Sequence, residues 1–199
     1  VLDRELPGRG WPLGALVEIL VDEAGSGELA LLLPHLVERG AQGGIILWVA
    51  PPYLPYAPAF AAAGVPSDRL VVLRPRSEED ALWTAEQTLR SAFSGSLLVW
   101  LARAGYAAMR RLAVSAEGGF GSTFVFRPRW HAGQPSPAAL RLALDGYAAG
   151  GLSLRLLKRR GAPLPHPLHL PLPGSFRALD RSPFPEVALA GERAAGCRA

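Results

Sequence analysis

The segment Val17-Glu18-Ile19-Leu20-Val21 reads as an apolar strand, and the chain turns after it through Gly25-Ser26-Gly27 into a helical run opening at Glu28. Strand, glycine turn and helix start are the parts of a phosphate-binding loop. In such a loop backbone N–H groups cradle phosphate, a lysine neutralises it and a Ser or Thr holds magnesium. Here Glu28 takes the lysine position and Leu29 the Ser/Thr position. Two anions ~4 Å apart repel by about 1 kcal/mol in water and about 4 kcal/mol at a protein surface. Leu29 has no atom to ligate a metal. Gly25, Ser26, Gly27, Glu28 and Leu29 are therefore expected to form a flexible strand-to-helix turn that does not take Mg–ATP. Glu28 itself is the anion that the helix dipole favours there.

No cofactor, catalytic residue or metal site is expected elsewhere. His35, His131, His166 and His169 show no ligand spacing with carboxylates, and no serine sits in a G-x-S-x-G context. Cys197 is the single cysteine, which excludes an internal disulfide and fits a reducing cytoplasm. The candidates for partner or nucleic-acid contact are basic. Residues 1–149 hold 13 Arg against 14 acids, net −1, whereas residues 150–199 hold 8 cations against 3 acids, net +5. Within the second part Lys158, Arg159 and Arg160 end an alternating stretch, before Gly161 and Pro163. Arg127, Arg129 and Trp130 form a second candidate group that could stack on or touch a strand of nucleic acid.

The elements that must position these residues follow from periodicity. With 199 residues, 49% of them hydrophobic and 19% charged, the chain can bury a core and reads as one domain, or one domain and a tail. No apolar run approaches the ~20 residues of a membrane span. Val1 is not an initiator and no signal segment follows it, as expected of a fragment or trimmed chain. Residues 15–21, 44–50, 70–73 and 96–101 are apolar with little alternation, the pattern of parallel strands covered on both faces. Helices fit between them at 28–39, with Pro34 expected to kink it or delay its start, and at 58–64. Two more fit at 77–93, opened by Ser77 with Glu78, Glu79 and Asp80, and at 106–117.

After a further strand at 122–127 the period changes to two. Leu140, Leu142 and Leu144, then Leu152, Leu154 and Leu156, alternate with small or polar residues across the 146–151 turn. The reading is an antiparallel pair with one face solvated. Leu168, Leu170 and Leu172 alternate likewise, but Pro167 and Pro171 confine them to a sheet edge. Residues 1–172 thus read as an α/β domain, a mostly parallel sheet flanked by helices with antiparallel strands at its C-terminal side. Residues 173–199 read as a tail, disordered or partner-binding.

Several phrases, in order, resemble the RecA-like ImuA family of damage-induced mutagenesis. Covering roughly residues 2–172, they are Leu2-Asp3-Arg4-Glu5-Leu6 followed by Gly10-Trp11-Pro12-Leu13-Gly14-Ala15-Leu16-Val17-Glu18-Ile19, and Leu47-Trp48-Val49-Ala50-Pro51-Pro52-Tyr53-Leu54-Pro55-Tyr56-Ala57-Pro58. Asp80-Ala81-Leu82-Trp83 with Ala85-Glu86-Gln87, then Ala108-Met109-Arg110-Arg111-Leu112-Ala113 and Leu156-Leu157-Lys158-Arg159-Arg160-Gly161, continue the match. The resemblance implies a RecA-like core whose magnesium-holding acid should stand near Trp100 or Leu101. Its water-activating glutamate should follow the second strand, where Pro51-Pro52 stands, and its sensor glutamine should fall near Arg127-Pro128. None of the three is present. What it implies is a non-catalytic accessory protein of SOS-induced error-prone translesion synthesis. The implied partners are an ImuB-type Y-family polymerase homologue, an error-prone C-family DNA polymerase and RecA, with weak or indirect DNA contact. In RecA the segment matching residues 158–160 reaches toward a neighbouring subunit. SulA, a RecA-like cell-division inhibitor that binds FtsZ, is the alternative, and a divergent ATP-binding RecA paralogue is the enzyme-class alternative.

Overall fold

The computed structural model describes residues 2–6, 8–148, 151–162 and 164–171. The proposed tail at 173–199 lies outside the described residues. In chain order the elements begin with a short helix α1 (Leu2–Glu5), β1 (Leu16–Val21), α2 (Glu28–Ala41), β2 (Ile46–Val49), α3 (Ala57–Ala62) and β3 (Leu70–Leu73). They continue with α4 (Glu78–Arg90), β4 (Ser96–Trp100), α5 (Tyr106–Ala116) and β5 (Ser122–Pro128). The hairpin strands β6 (Leu140–Ala148) and β7 (Gly151–Lys158) follow, and then β8 (Leu168–Pro171).

Among the described residues eight strands form one sheet in the order β3-β2-β4-β5-β1-β6-β7-β8. From β3 to β6 every pairing is parallel, whereas β7 runs antiparallel to β6 and β8 antiparallel to β7. This is the α/β architecture with antiparallel C-terminal strands expected from the sequence. β8 occupies the edge, as its prolines require.

The sheet separates two apolar layers. On one side α2 and α3 pack Leu32, Leu33, Leu36 and Phe60 against Ile19, Trp48, Phe124, Leu142 and Leu154. On the other, Ala81 and Ala85 of α4 and Met109 and Leu112 of α5 cover Leu47, Leu97, Val99 and Val125. Each fully buried side chain of this size contributes about 1.5–3 kcal/mol. The Ser77 hydroxyl accepts from the Asp80 N–H at 3.1 Å and caps α4, the start its sequence signals. α2 begins at Glu28 without delay, and Pro34 lies on its exposed side.

One expectation is corrected at β6. Its alternation does not mark a face solvated throughout, because Arg141 and Ala143 are buried along with the leucines and, among its described residues, only Asp145 is exposed. The polar side of this strand is covered by the 3₁₀ turn at Arg129–Gly133, and Arg141 is spent on partners beneath it.

Candidate functional site

β1 is central, with parallel neighbours β5 and β6 on its two sides, and the chain leaves its C-terminal end into the 22–27 turn. In open α/β sheets the crevice beyond the carboxyl ends of such strands is where ligands bind. A cleft of about 470 Å³ lies there, walled by Pro52, Pro75 and Pro128 and floored by Trp100 and Phe126. Those two rings stack with centroids 4.6 Å apart, and Trp100 lies 5.4 Å from Trp48. An aromatic cluster thus fills the position that a magnesium-holding acid would need. The cleft also takes in Asp22 and Glu78. The Glu78 carboxylate is turned onto the backbone, accepting the Ala102 and Arg103 N–H groups at 2.9–3.1 Å.

The turn itself supplies its own anion. Gly25 and Gly27 take left-handed backbones (φ 85° and 111°), so the chain can reverse sharply into α2. The Glu28 carboxylate folds back and accepts the Gly25 N–H at 2.8 Å, and the residue is 2% exposed. A phosphate in this cradle would meet that buried carboxylate. From the other side the β6–β7 hairpin closes on the turn. A Cβ on Gly27 would stand 2.6 Å from Leu152 Cδ1 and 3.4 Å from the Tyr147 ring. Leu29, at the metal-holding position, is buried in the core. The residues present do not fit Mg–ATP. Among the described residues no group of three His, Cys, Asp or Glu is placed to hold a metal.

Below the turn, Glu18 in mid-β1 is fully buried between two guanidiniums. Arg127 of β5 reaches one carboxylate oxygen at 2.7 Å and Arg141 of β6 the other at 2.6 Å. Burial pushes the Glu18 carboxyl up. The Ser136 hydroxyl and then Arg127 and Arg141 outweigh it and hold the group below the usual carboxylate range. Arg127 also donates to the Ala104 carbonyl and meets the His131 ring. Arg141 donates to the His131 and Gln134 carbonyls at 3.0 and 3.1 Å. Sequence reasoning missed this network. Its signal was a carboxylate inside an apolar parallel strand, which demands a buried partner.

The network withdraws Arg127 from the contact candidates. Arg127 is 3% exposed and committed to Glu18, so neither nucleic acid nor a partner reaches it. Arg129 is largely taken as well, paired with Asp145 and Asp22 and donating to the Leu144 carbonyl at 2.6 Å. Trp130 alone of that group is presented, 61% exposed and stacked on the buried His131 ring.

Lys158, Arg159 and Arg160 lie at the opposite end of the sheet, where β7 ends beside the start of β6. Arg159 turns inward, to the Glu5 carboxylate at 2.9 Å and to the Glu5 and Ala162 carbonyls. Lys158 is exposed and donates to the Ser136 carbonyl at 3.0 Å. Arg160 is exposed and makes no hydrogen bond or ion pair among the described residues.

No protein-family model matches the chain. Over 102 residues it is 32% identical to the cell division inhibitor SulA of Edwardsiella piscicida, a match covering 51% of this chain and 61% of that protein. The match therefore spans less than two thirds of that relative. Among solved structures, SulA from Pseudomonas aeruginosa aligns over 59% of this chain and 99% of its own, at 25% identity and a TM-score of 0.47. Among the described residues no helix is long and apolar enough to cross a membrane.

Proposed function

We propose that this chain is a non-catalytic, RecA-like protein of the SOS response to DNA damage that acts by docking on other proteins. The observation that carries the reading is the Glu28 carboxylate, buried in the turn and bonded to the N–H group that phosphate would use. Leu29, Trp100 and the Pro51-Pro52 pair remove the remaining parts of an ATPase. A protein that cannot cycle nucleotide can still use the rigid sheet as a platform.

Two partner sets are open to such a platform, and each has support. The SulA similarity favours a cell-division inhibitor, with the tubulin-like FtsZ as target. The ordered phrases across residues 2–172 favour an ImuA-type role in translesion synthesis, assembled with an ImuB-type polymerase homologue, an error-prone C-family polymerase and RecA. Calorimetric titration with Mg–ATP, alone and with RecA, tests the shared reading; the expected result is no saturable binding, and tight binding by the isolated chain would overturn it. Parallel pull-downs with FtsZ, ImuB and RecA then separate the two roles. Retention of FtsZ alone assigns the division inhibitor, and retention of ImuB or RecA without FtsZ assigns the translesion factor.

A further inference from the structure

A second cleft opens at the other end of the sheet, at the N-terminal ends of β1 and β6. Its volume is about 610 Å³. Pro12, Leu13 and Leu140 give it an apolar floor and wall, and Lys158, Arg159 and Arg160 give it a cationic side. Among the described residues no acidic side chain lines it. Because Arg159 is neutralised by Glu5, the charges offered outward are those of Lys158 and Arg160.

The apolar wall is preformed. Gly14 takes a left-handed backbone (φ 61°), its N–H is bonded to the Gly121 carbonyl at 2.9 Å, and a Cβ there would stand 2.5 Å from the Gly119 oxygen. The segment carrying Pro12 and Leu13 is thus locked against the turn between α5 and β5. Leu13 nonetheless stays 51% exposed. A rigid, exposed aliphatic wall beside uncompensated cations favours association, because little ordering is left to do on binding.

We infer that this groove docks an acidic peptide segment of a partner protein, with an aliphatic side chain against Leu13 and Pro12 and carboxylates toward Lys158 and Arg160. The inference rests on the docking reading above and names the surface that would serve it. Charge complementarity selects an anionic occupant. The floor selects a peptide over nucleic acid, since single strands are held by aromatic stacking and no aromatic ring among the described residues lines this groove.

The test is fluorescence anisotropy of a short fluorescein-labelled peptide alternating Glu and Leu, titrated with the full chain. The expected result is saturable binding that weakens with salt, and weakens further when the peptide's Leu are replaced by Ser. Leu13→Asp and Arg160→Glu should each weaken it roughly tenfold, whereas Arg103→Glu at the far end of the sheet should not. Circular dichroism confirms that each variant is folded, and Lys158→Glu serves as the second charge variant should one fail.

Four outcomes overturn the inference: equal loss in Arg103→Glu, tighter binding of oligodeoxythymidine than of the peptide, a self-association that Arg160→Glu abolishes, or peptide binding that appears only after residues 173–199 are removed. No peptide binding in a chain that still retains FtsZ, ImuB or RecA overturns the groove and leaves the docking reading standing. Tight Mg–ATP binding strikes the docking reading instead.

Discussion

The two ends of the parallel sheet differ in how far they satisfy themselves. At the carboxyl end Glu28 holds the Gly25 N–H, Glu78 holds the Ala102 and Arg103 N–H groups, Glu18 holds Arg127, and Asp145 holds Arg129. At the amino end Lys158 and Arg160 face solvent above an apolar wall, with no carboxylate among the described residues of the groove. A donor already bonded inside the protein gains little from a ligand, because binding must first break what folding made. The turn that the fold class reserves for phosphate has become structure, although Arg76 in the carboxyl-end cleft is exposed there, as Lys158 and Arg160 are at the amino end.

The sharpest way to break this contrast is to remove an internal partner from the self-satisfied end. Glu18→Gln leaves Arg127 and Arg141 buried with one carboxylate fewer, and unpairing a buried ion costs about 3–5 kcal/mol. Urea denaturation should show the midpoint falling accordingly with an unchanged slope. A loss under about 1 kcal/mol would mean the network does not hold the sheet together.

Acid titration probes His35 first and the Glu18 network after it. His35 bonds Ser122 Oγ at 2.7 Å, and burial, with the Arg39 charge adding to it, pulls its imidazole down from 6.5 to about 4. Between those values the unfolded chain binds more protons than the folded one, so stability is full above pH 6.5 and falls toward pH 4. At 1.36 kcal/mol per pH unit the loss is about 3 kcal/mol, and His35→Asn should flatten that part of the curve. Glu18, held below its ordinary value, adds a second loss only at lower pH, as its carboxylate protonates. Denaturant midpoints collected across pH 3.5 to 7.5, in steps of about half a unit, read both.

Glu28→Lys asks whether the turn is structure or a dormant site. The change removes a charge-assisted hydrogen bond to Gly25 and puts a cation at a helix N-terminus, for a loss of about 2 kcal/mol. Thermal melting should show the loss, and calorimetry should show no gain of tight Mg–ATP binding. A variant that binds ATP tightly would return the loop to the phosphate-binding class.

The sheet was legible in the sequence because its strands are bounded by glycine and proline and its helix α4 by a Ser77 cap. So was the loss of the lysine, since the Gly25-Ser26-Gly27 turn fixes where it would stand. Arg127 and Arg141 were misread for one reason: a charge in a strand looks solvated until the strand's neighbours are known. Glu18 lies 109 residues from Arg127 and 123 from Arg141, so only topology brings the three together. The same holds for the groove. Pro12 and Leu13 give no sign in the sequence that Lys158 and Arg160 stand beside them.

The smallest expected effect on stability is the most discriminating one. Arg160 has no partner to lose among the described residues, so Arg160→Glu should leave the denaturation midpoint within about 0.5 kcal/mol of the parent. A charge kept in place by folding would cost more when reversed, as Arg159→Glu should through its Glu5 contacts. Measured side by side, equal costs would show that the amino end is stitched together like the carboxyl end, and the contrast would fail. A silent Arg160→Glu beside a destabilising Arg159→Glu keeps one cation for the fold and one for a partner.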